Sequence, residues 1–116
     1  MTDLNILVDE LKKFRDERDW KQFHNHKDMA LSMVLESAEV LEHFQWKSPA
    51  EVEAYGKDRK DDIAEEIADV LKYLVQLADN LGIEDIVQIA LDKLERDAAK
   101  YPVDKAKGKH TKYNKL

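Results

Sequence analysis

Cysteine is absent from this chain. Disulfide frameworks, thiolate metal sites and thiol nucleophiles are therefore excluded, and the absence suits a reducing cytosol. Long apolar runs are missing too. No stretch approaches the roughly 20 apolar residues that a membrane-spanning helix requires, and the opening MTDLNILVDELKK has no apolar signal core. The reading is a soluble, cytoplasmic protein with no membrane partner. Basic excess is also lacking: a net charge of -6 disfavours general attraction to nucleic acid or anionic lipid. An acidic protein that acts on phosphates would need bound cations. Neither a glycine-rich phosphate loop nor the makings of a nucleophilic triad is present.

Only three glycines and two prolines punctuate the 116 residues, and apolar residues between them recur at helical rather than alternating spacing. That predicts an all-α protein, a single domain over residues 1–116. A first helix is expected from Thr2 or Asp3 to Arg18, with Leu4, Leu7, Val8, Leu11 and Phe14 as its stripe. RDWKQFHNHKD then reads as a loop rich in aromatic and polar groups. Asp28 is a plausible N-cap for a second helix reaching Trp46. Ser48-Pro49 has the chemistry of a short helical turn that Gly56 could end.

A third helix is expected over 58–80, with Ile63, Ile67, Val70, Leu71, Leu74, Leu77, Ala78 and Leu81 on one side and Gly82 as its stop. A fourth over 84–100 carries Ile86, Val87, Ala90, Leu91 and Leu94, and Pro102 bars its continuation. The architecture is a four-helix bundle. From about 103 to 116 the tail is basic, with five lysines against Asp104. It reads as a flexible solvated end or as a clamp for a polyphosphate.

Turning the second helix by about 100° per residue puts Ser32, Glu36, Glu39 and His43 on one strip, flanked by apolar residues on both sides. The same construction sets Glu66, Asp69, Tyr73 and Asn80 along the border of the third helix's stripe. Any one such pair could be a solvated helix face. If the two edges pack together, however, four carboxylates converge, and like charges at that density are costly without a cation. Oxygen donors alone favour Mg2+, with Mn2+ as a substitute, over zinc. The spacing does not match the Glu-x-x-His pattern of di-iron bundles. His43 reads as a rim residue.

FRDERDWKQFH, VLESAEVLEHFQWK, EEIADVLKYLVQLAD and KLERDAAKYP with its KAKGKHTKY tail together resemble the MazG-like nucleoside triphosphate pyrophosphohydrolases, and within them the small dCTP pyrophosphatase branch. The resemblance covers nearly the whole chain. It implies Mg2+-dependent hydrolysis of a nucleoside triphosphate between the α and β phosphates, in a homodimer or homotetramer that clears dCTP-like or modified deoxynucleotides. It places the metal ligands and catalytic groups on Glu36, Glu39, Glu66 and Asp69, with Glu39 a candidate to orient the attacking water.

It also puts the base pocket at Trp20, His24, Trp46 and Tyr73, although Trp46 and Tyr73 would equally suit core packing. Phosphate contacts are implied at Lys100, Tyr101 and Lys112. Asp97 stands where the family usually has asparagine, so an acceptor replaces a side chain able to donate. Leu35 and Ala38 replace glycines common near the glutamates. These departures leave room for another substrate, such as dUTP or phosphoribosyl-ATP, or for a regulatory module without turnover.

Overall fold

Several helix starts are written in a side chain that satisfies an otherwise unpaired backbone N–H. Asp3 accepts from Ile6 N at 3.0 Å and opens α1 (Leu4–Glu17). Asn25 accepts from Asp28 N at 2.9 Å and opens α2 (His26–Glu42), while its own amide donates to Asp28 Oδ2 at 2.6 Å. The cap is thus Asn25, and Asp28 is its reciprocal partner inside the first turn. Ser48 and Glu51 form a full capping box for α3 (Pro49–Asp58), with Pro49 at the first position. This segment is a ten-residue helix that runs through Gly56. After a break at Arg59 comes α4 (Lys60–Asn80).

The computed structural model describes residues 3–116, and among these the only regular structure is helical. Thr2, offered as a possible first residue of the first helix, lies outside them. The all-α class follows, and the four long helices expected from the sequence are present as α1, α2, α4 and α5 (Ile86–Lys100). None of the described helices is long and apolar enough to cross a membrane.

The end of the second helix differs from expectation for an identifiable reason. The second helix stops at Glu42, four residues short of Trp46, because residues 43–46 close into turns and Trp46 adopts φ 69°. A bulky side chain in the left-handed region ends the helix. The exit of α4 goes as expected: Gly82 takes φ 76°, its N–H bonds to Asp79 O, and Ile83 N bonds to Ala78 O. That is a Schellman closure, which favours glycine at the left-handed position.

The chain divides into two compact units, Met1–Ile83 and Glu84–Leu116. In the first, α4 is the hub and packs chiefly on α2, and also on α1 and α3. Its core is small: among the described residues the buried apolar ones are Met29 of α2 and Ile63, Val75 and Ala78 of α4. Part of the expected α4 stripe stays uncovered, since Ile67, Leu71, Leu74 and Leu81 are exposed, as are Leu31, Val34, Leu35 and Leu41 of α2.

In the second unit Asp85 caps α5 by accepting from Gln88 N. The tail expected as a flexible basic end contains a short helix, α6 (Val103–Ala106), and a 3-10 turn at Tyr113–Lys115. Tyr113 packs edge-on against Tyr101 with ring centroids 6.1 Å apart, and Lys100 Nζ lies 4.8 Å above the Tyr113 ring.

Candidate functional site

The Glu36 carboxyl is the point where the four expected carboxylates act on one another. Burial pushes it above the ordinary glutamate range, and the neighbouring Glu39 carboxyl, followed by the charges of Asp69 and Glu66, pushes it the same way. Helical spacing sets the pairs: Glu36 and Glu39 lie one turn apart on α2, Glu66 and Asp69 one turn apart on α4. The close packing of α2 on α4 then brings the pairs within electrostatic reach.

Each carboxylate has its own surroundings. Glu36 is partly buried and Glu39 exposed. Glu36 Oε2 is buried without a hydrogen-bond partner. Glu66 Oε2 is likewise buried without a hydrogen bond, although His43 Nε2 lies against it in an ion-pair contact. Asp69 Oδ1 pairs with Lys72 Nζ at 3.3 Å. Among the described residues no three acidic or histidine side chains are gathered into a ready-made cation cage. The donors are nonetheless all oxygen, two of their buried oxygens lack hydrogen bonds, and their mutual repulsion is already evident at Glu36. That combination fits a hard divalent cation, which would relieve the repulsion.

Beside the carboxylates lies a cavity of about 620 Å³, bounded by α1, the loop after it and α4. Trp20, His24 and Tyr73 all line it, and so does Lys72, the partner of Asp69. Phe14 meets Trp20 edge-on at 5.7 Å, and Arg18 stacks 3.7 Å over Phe14, which props the aromatic wall. His24 Nδ1 is buried and unpartnered, and Asn80 Nδ2 donates to the His24 carbonyl at 3.2 Å. Burial, reinforced by the positive charge of Arg15, lowers the His24 pKa, which favours the neutral ring. The cavity therefore offers aromatic faces and a neutral imidazole. Planar, uncharged groups suit such a surface.

Trp46 is not part of that lining. It lies 93% exposed in its left-handed turn, a costly arrangement for a large side chain that buries almost nothing. Asp97, Lys100, Tyr101 and Lys112 belong to the second unit. There Asp97 is partly buried on α5, its carbonyl accepting from Tyr101 N at 3.0 Å, while Lys112 precedes the final 3-10 turn.

Three residues outside the sequence expectations matter here. Arg15 is only 7% exposed, its Nε donating to Asp16 Oδ1 at 2.9 Å, and it lines the cavity. Its buried state had no signal in a charged stretch that reads as a solvated face. Lys72 lies off the acidic edge by helical spacing, yet its long side chain reaches back one turn to Asp69. His43, read as a rim residue, lies against Glu66; its i+4 relation to Glu39 was the signal available.

Comparison with known proteins gives a consistent picture. The sequence profile described as the MazG-like family matches residues 31–116. The protein named dCTP pyrophosphatase 1 of Rattus norvegicus is 38% identical over 106 residues, 90% of this chain and 62% of that protein. The Homo sapiens protein of the same name is 37% identical over the same shares. The chain thus spans less than two thirds of the curated relatives it matches. A crystal structure of a pyrophosphatase from Archaeoglobus fulgidus is similar at a TM-score of 0.80 and 41% identity, over 88% of this chain and 94% of that one.

Proposed function

This chain belongs to the MazG-like family, and from that premise we propose that it hydrolyses a nucleoside triphosphate between the α and β phosphates, releasing a monophosphate and pyrophosphate. The observation that carries the reading is Lys72. It lines the aromatic cavity and also pairs with Asp69, so a base-sized hollow and an acidic cluster adjoin along one helix. A nucleotide needs both.

In this reading Glu36, Glu39, Glu66 and Asp69 hold Mg2+, for which Mn2+ can substitute. The bound ion supplies charge neutralisation at the phosphate oxygens and a lowered pKa for the attacking water. Glu39, exposed and one turn from Glu36, orients that water and accepts its proton as the anhydride bond breaks and pyrophosphate leaves. Trp20 and Tyr73 provide the cavity's faces for the base, with His24 beside them. The roles of Trp46 in stacking, and of Asp97, Lys100, Tyr101 and Lys112 toward sugar and phosphates, are further parts of the proposal and rest on the family resemblance.

The relatives' name, dCTP pyrophosphatase 1, supports dCTP as substrate, and the family resemblance extends the proposal to modified deoxynucleotides and to housecleaning of the cytoplasmic nucleotide pool. Asp97 favours a second reading, in which dUTP, phosphoribosyl-ATP or another nucleotide is preferred, because a carboxylate accepts hydrogen bonds where the family's amide can donate. Self-association into a dimer or tetramer is also proposed, supported by the exposed leucines and valine of α2 and the uncovered stripe of α4.

The test is product analysis by ion-exchange chromatography over a panel of triphosphates with Mg2+. The reading expects monophosphate and pyrophosphate in equal amounts, with dCTP or a modified form cleaved fastest. Diphosphate and orthophosphate would rule out αβ cleavage. Tight nucleotide binding without any product would favour a regulatory module.

A further inference from the structure

The ring of His43 connects three helices. It sits at the C-cap of α2, its Nδ1 lies 2.7 Å from the Tyr55 hydroxyl on α3, and its Nε2 lies against Glu66 on α4. Tyr55 is itself held. Phe44 meets its ring edge-on at 6.2 Å, and Lys47 Nζ stands 4.4 Å over its face. The His43 side chain is 14% exposed, so its two nitrogens have little access to water and must find partners in the protein. Both nitrogens are engaged, one by Tyr55 and one by Glu66. A metal ligand needs a free nitrogen lone pair, and His43 has none to spare in this arrangement.

From this geometry we propose that His43, oriented by Tyr55, is a positioning residue that holds the Glu66 carboxylate for the cation. This rests on the reading of Glu66 as a metal ligand. A carboxylate only accepts, so the tautomer that suits Glu66 has its proton on Nε2, and in that tautomer Nδ1 accepts from the Tyr55 hydroxyl. The imidazole then steers Glu66 through its Nε2 edge. An outer contact of this kind restricts the ligand's rotamers before the ion arrives. The pairing also gives the polar side chain at the C-cap of α2 a purpose: a leucine would pack there but leave Glu66 free to turn.

Binding of Mn2+ to the whole protein without nucleotide, followed by loss of the free-ion electron paramagnetic resonance signal, tests the idea apart from catalysis. Outer partners of metal ligands typically contribute about 10–100-fold in affinity. His43→Leu is expected to weaken Mn2+ binding by about that factor, and Tyr55→Phe by a smaller one. His43→Gln, whose amide can donate to Glu66, is expected to restore most of the affinity. Circular dichroism establishes that each variant keeps its helices. Unchanged or tighter binding in folded His43→Leu overturns the proposal, and so does a Gln variant as weak as the Leu variant. If His43→Leu does not fold, Tyr55→Phe decides: weakened binding supports the role and unchanged binding removes it. A parent protein that binds no Mn2+ at all would overturn both this inference and the metal reading beneath it.

Discussion

Lys72 Nζ lies 3.3 Å from Asp69 Oδ1, and the same side chain lines the cavity walled by Trp20 and Tyr73. The pair is about half exposed on both sides. An ion pair of that kind contributes about 0–1 kcal/mol, so a divalent cation can displace it readily. Lysine then becomes free to meet a phosphate. Lys72→Ala is accordingly expected to tighten Mn2+ binding by no more than about fivefold while raising the KM for nucleotide. Weaker cation binding in that variant would show that Lys72 supports Asp69 rather than competing for it.

Trp20 carries the clearest prediction for base recognition. Aromatic stacking on a base contributes about 1–3 kcal/mol, so Trp20→Ala should raise KM roughly tenfold or more with a smaller change in kcat. Steady-state kinetics with the preferred triphosphate checks this. A KM equal to the parent's would mean that the aromatic wall is packing only.

Trp46 differs in kind, because its conformation is costly and its side chain almost wholly exposed. Glycine adopts the left-handed region freely, so Trp46→Gly should melt at the same temperature as the parent or higher. If the indole serves the nucleotide, the variant's KM rises at the same time. A clear drop in melting temperature would show instead that the ring supports the fold.

The raised pKa of Glu36 fixes a direction for pH dependence. Burial comes first among its causes, followed by Glu39 and the neighbouring charges, so the native state holds this proton more tightly than the unfolded chain. The stabilisation is fully present below the ordinary glutamate range and is lost as pH rises through the raised value. Without divalent cation, Glu36→Gln should therefore melt higher than the parent at neutral pH, with the gap closing in acid. A Gln variant that melts at or below the parent at neutral pH would remove the idea of stored repulsion.

Glu51 works in the opposite sense. Ser48 lowers its pKa through side-chain and backbone hydrogen bonds, so the capping contribution is present above the ordinary glutamate range and lost as pH falls. Ser48→Ala should cost about 1 kcal/mol at neutral pH and less in acid. Thermal melts at the two pH values give the comparison.

How far the sequence revealed this site follows from the reach of each contact. Glu36 with Glu39, and Glu66 with Asp69, were legible because one helical turn separates each pair and α-helices repeat predictably. The Ser48-Pro49 start and the Gly82 stop were legible for the same local reason. His43 with Tyr55 was not: twelve residues and a change of helix separate them, and only packing brings them together. The burial of Arg15 was hidden because its neighbours are charged. The end of α2 was misplaced because Phe44 and Trp46 continue an apolar pattern, whereas the left-handed turn at Trp46 is a backbone event that no spacing announces.

The central claim is that four carboxylates on α2 and α4 serve a single hydrolytic site. Pyrophosphate release from the preferred triphosphate, measured with Mg2+ in the parent, Glu36→Gln and Asp69→Asn, tests it most directly. The account predicts Mg2+-dependent release in the parent and a loss of at least about a hundredfold in each folded variant. Undiminished release in both variants would contradict it.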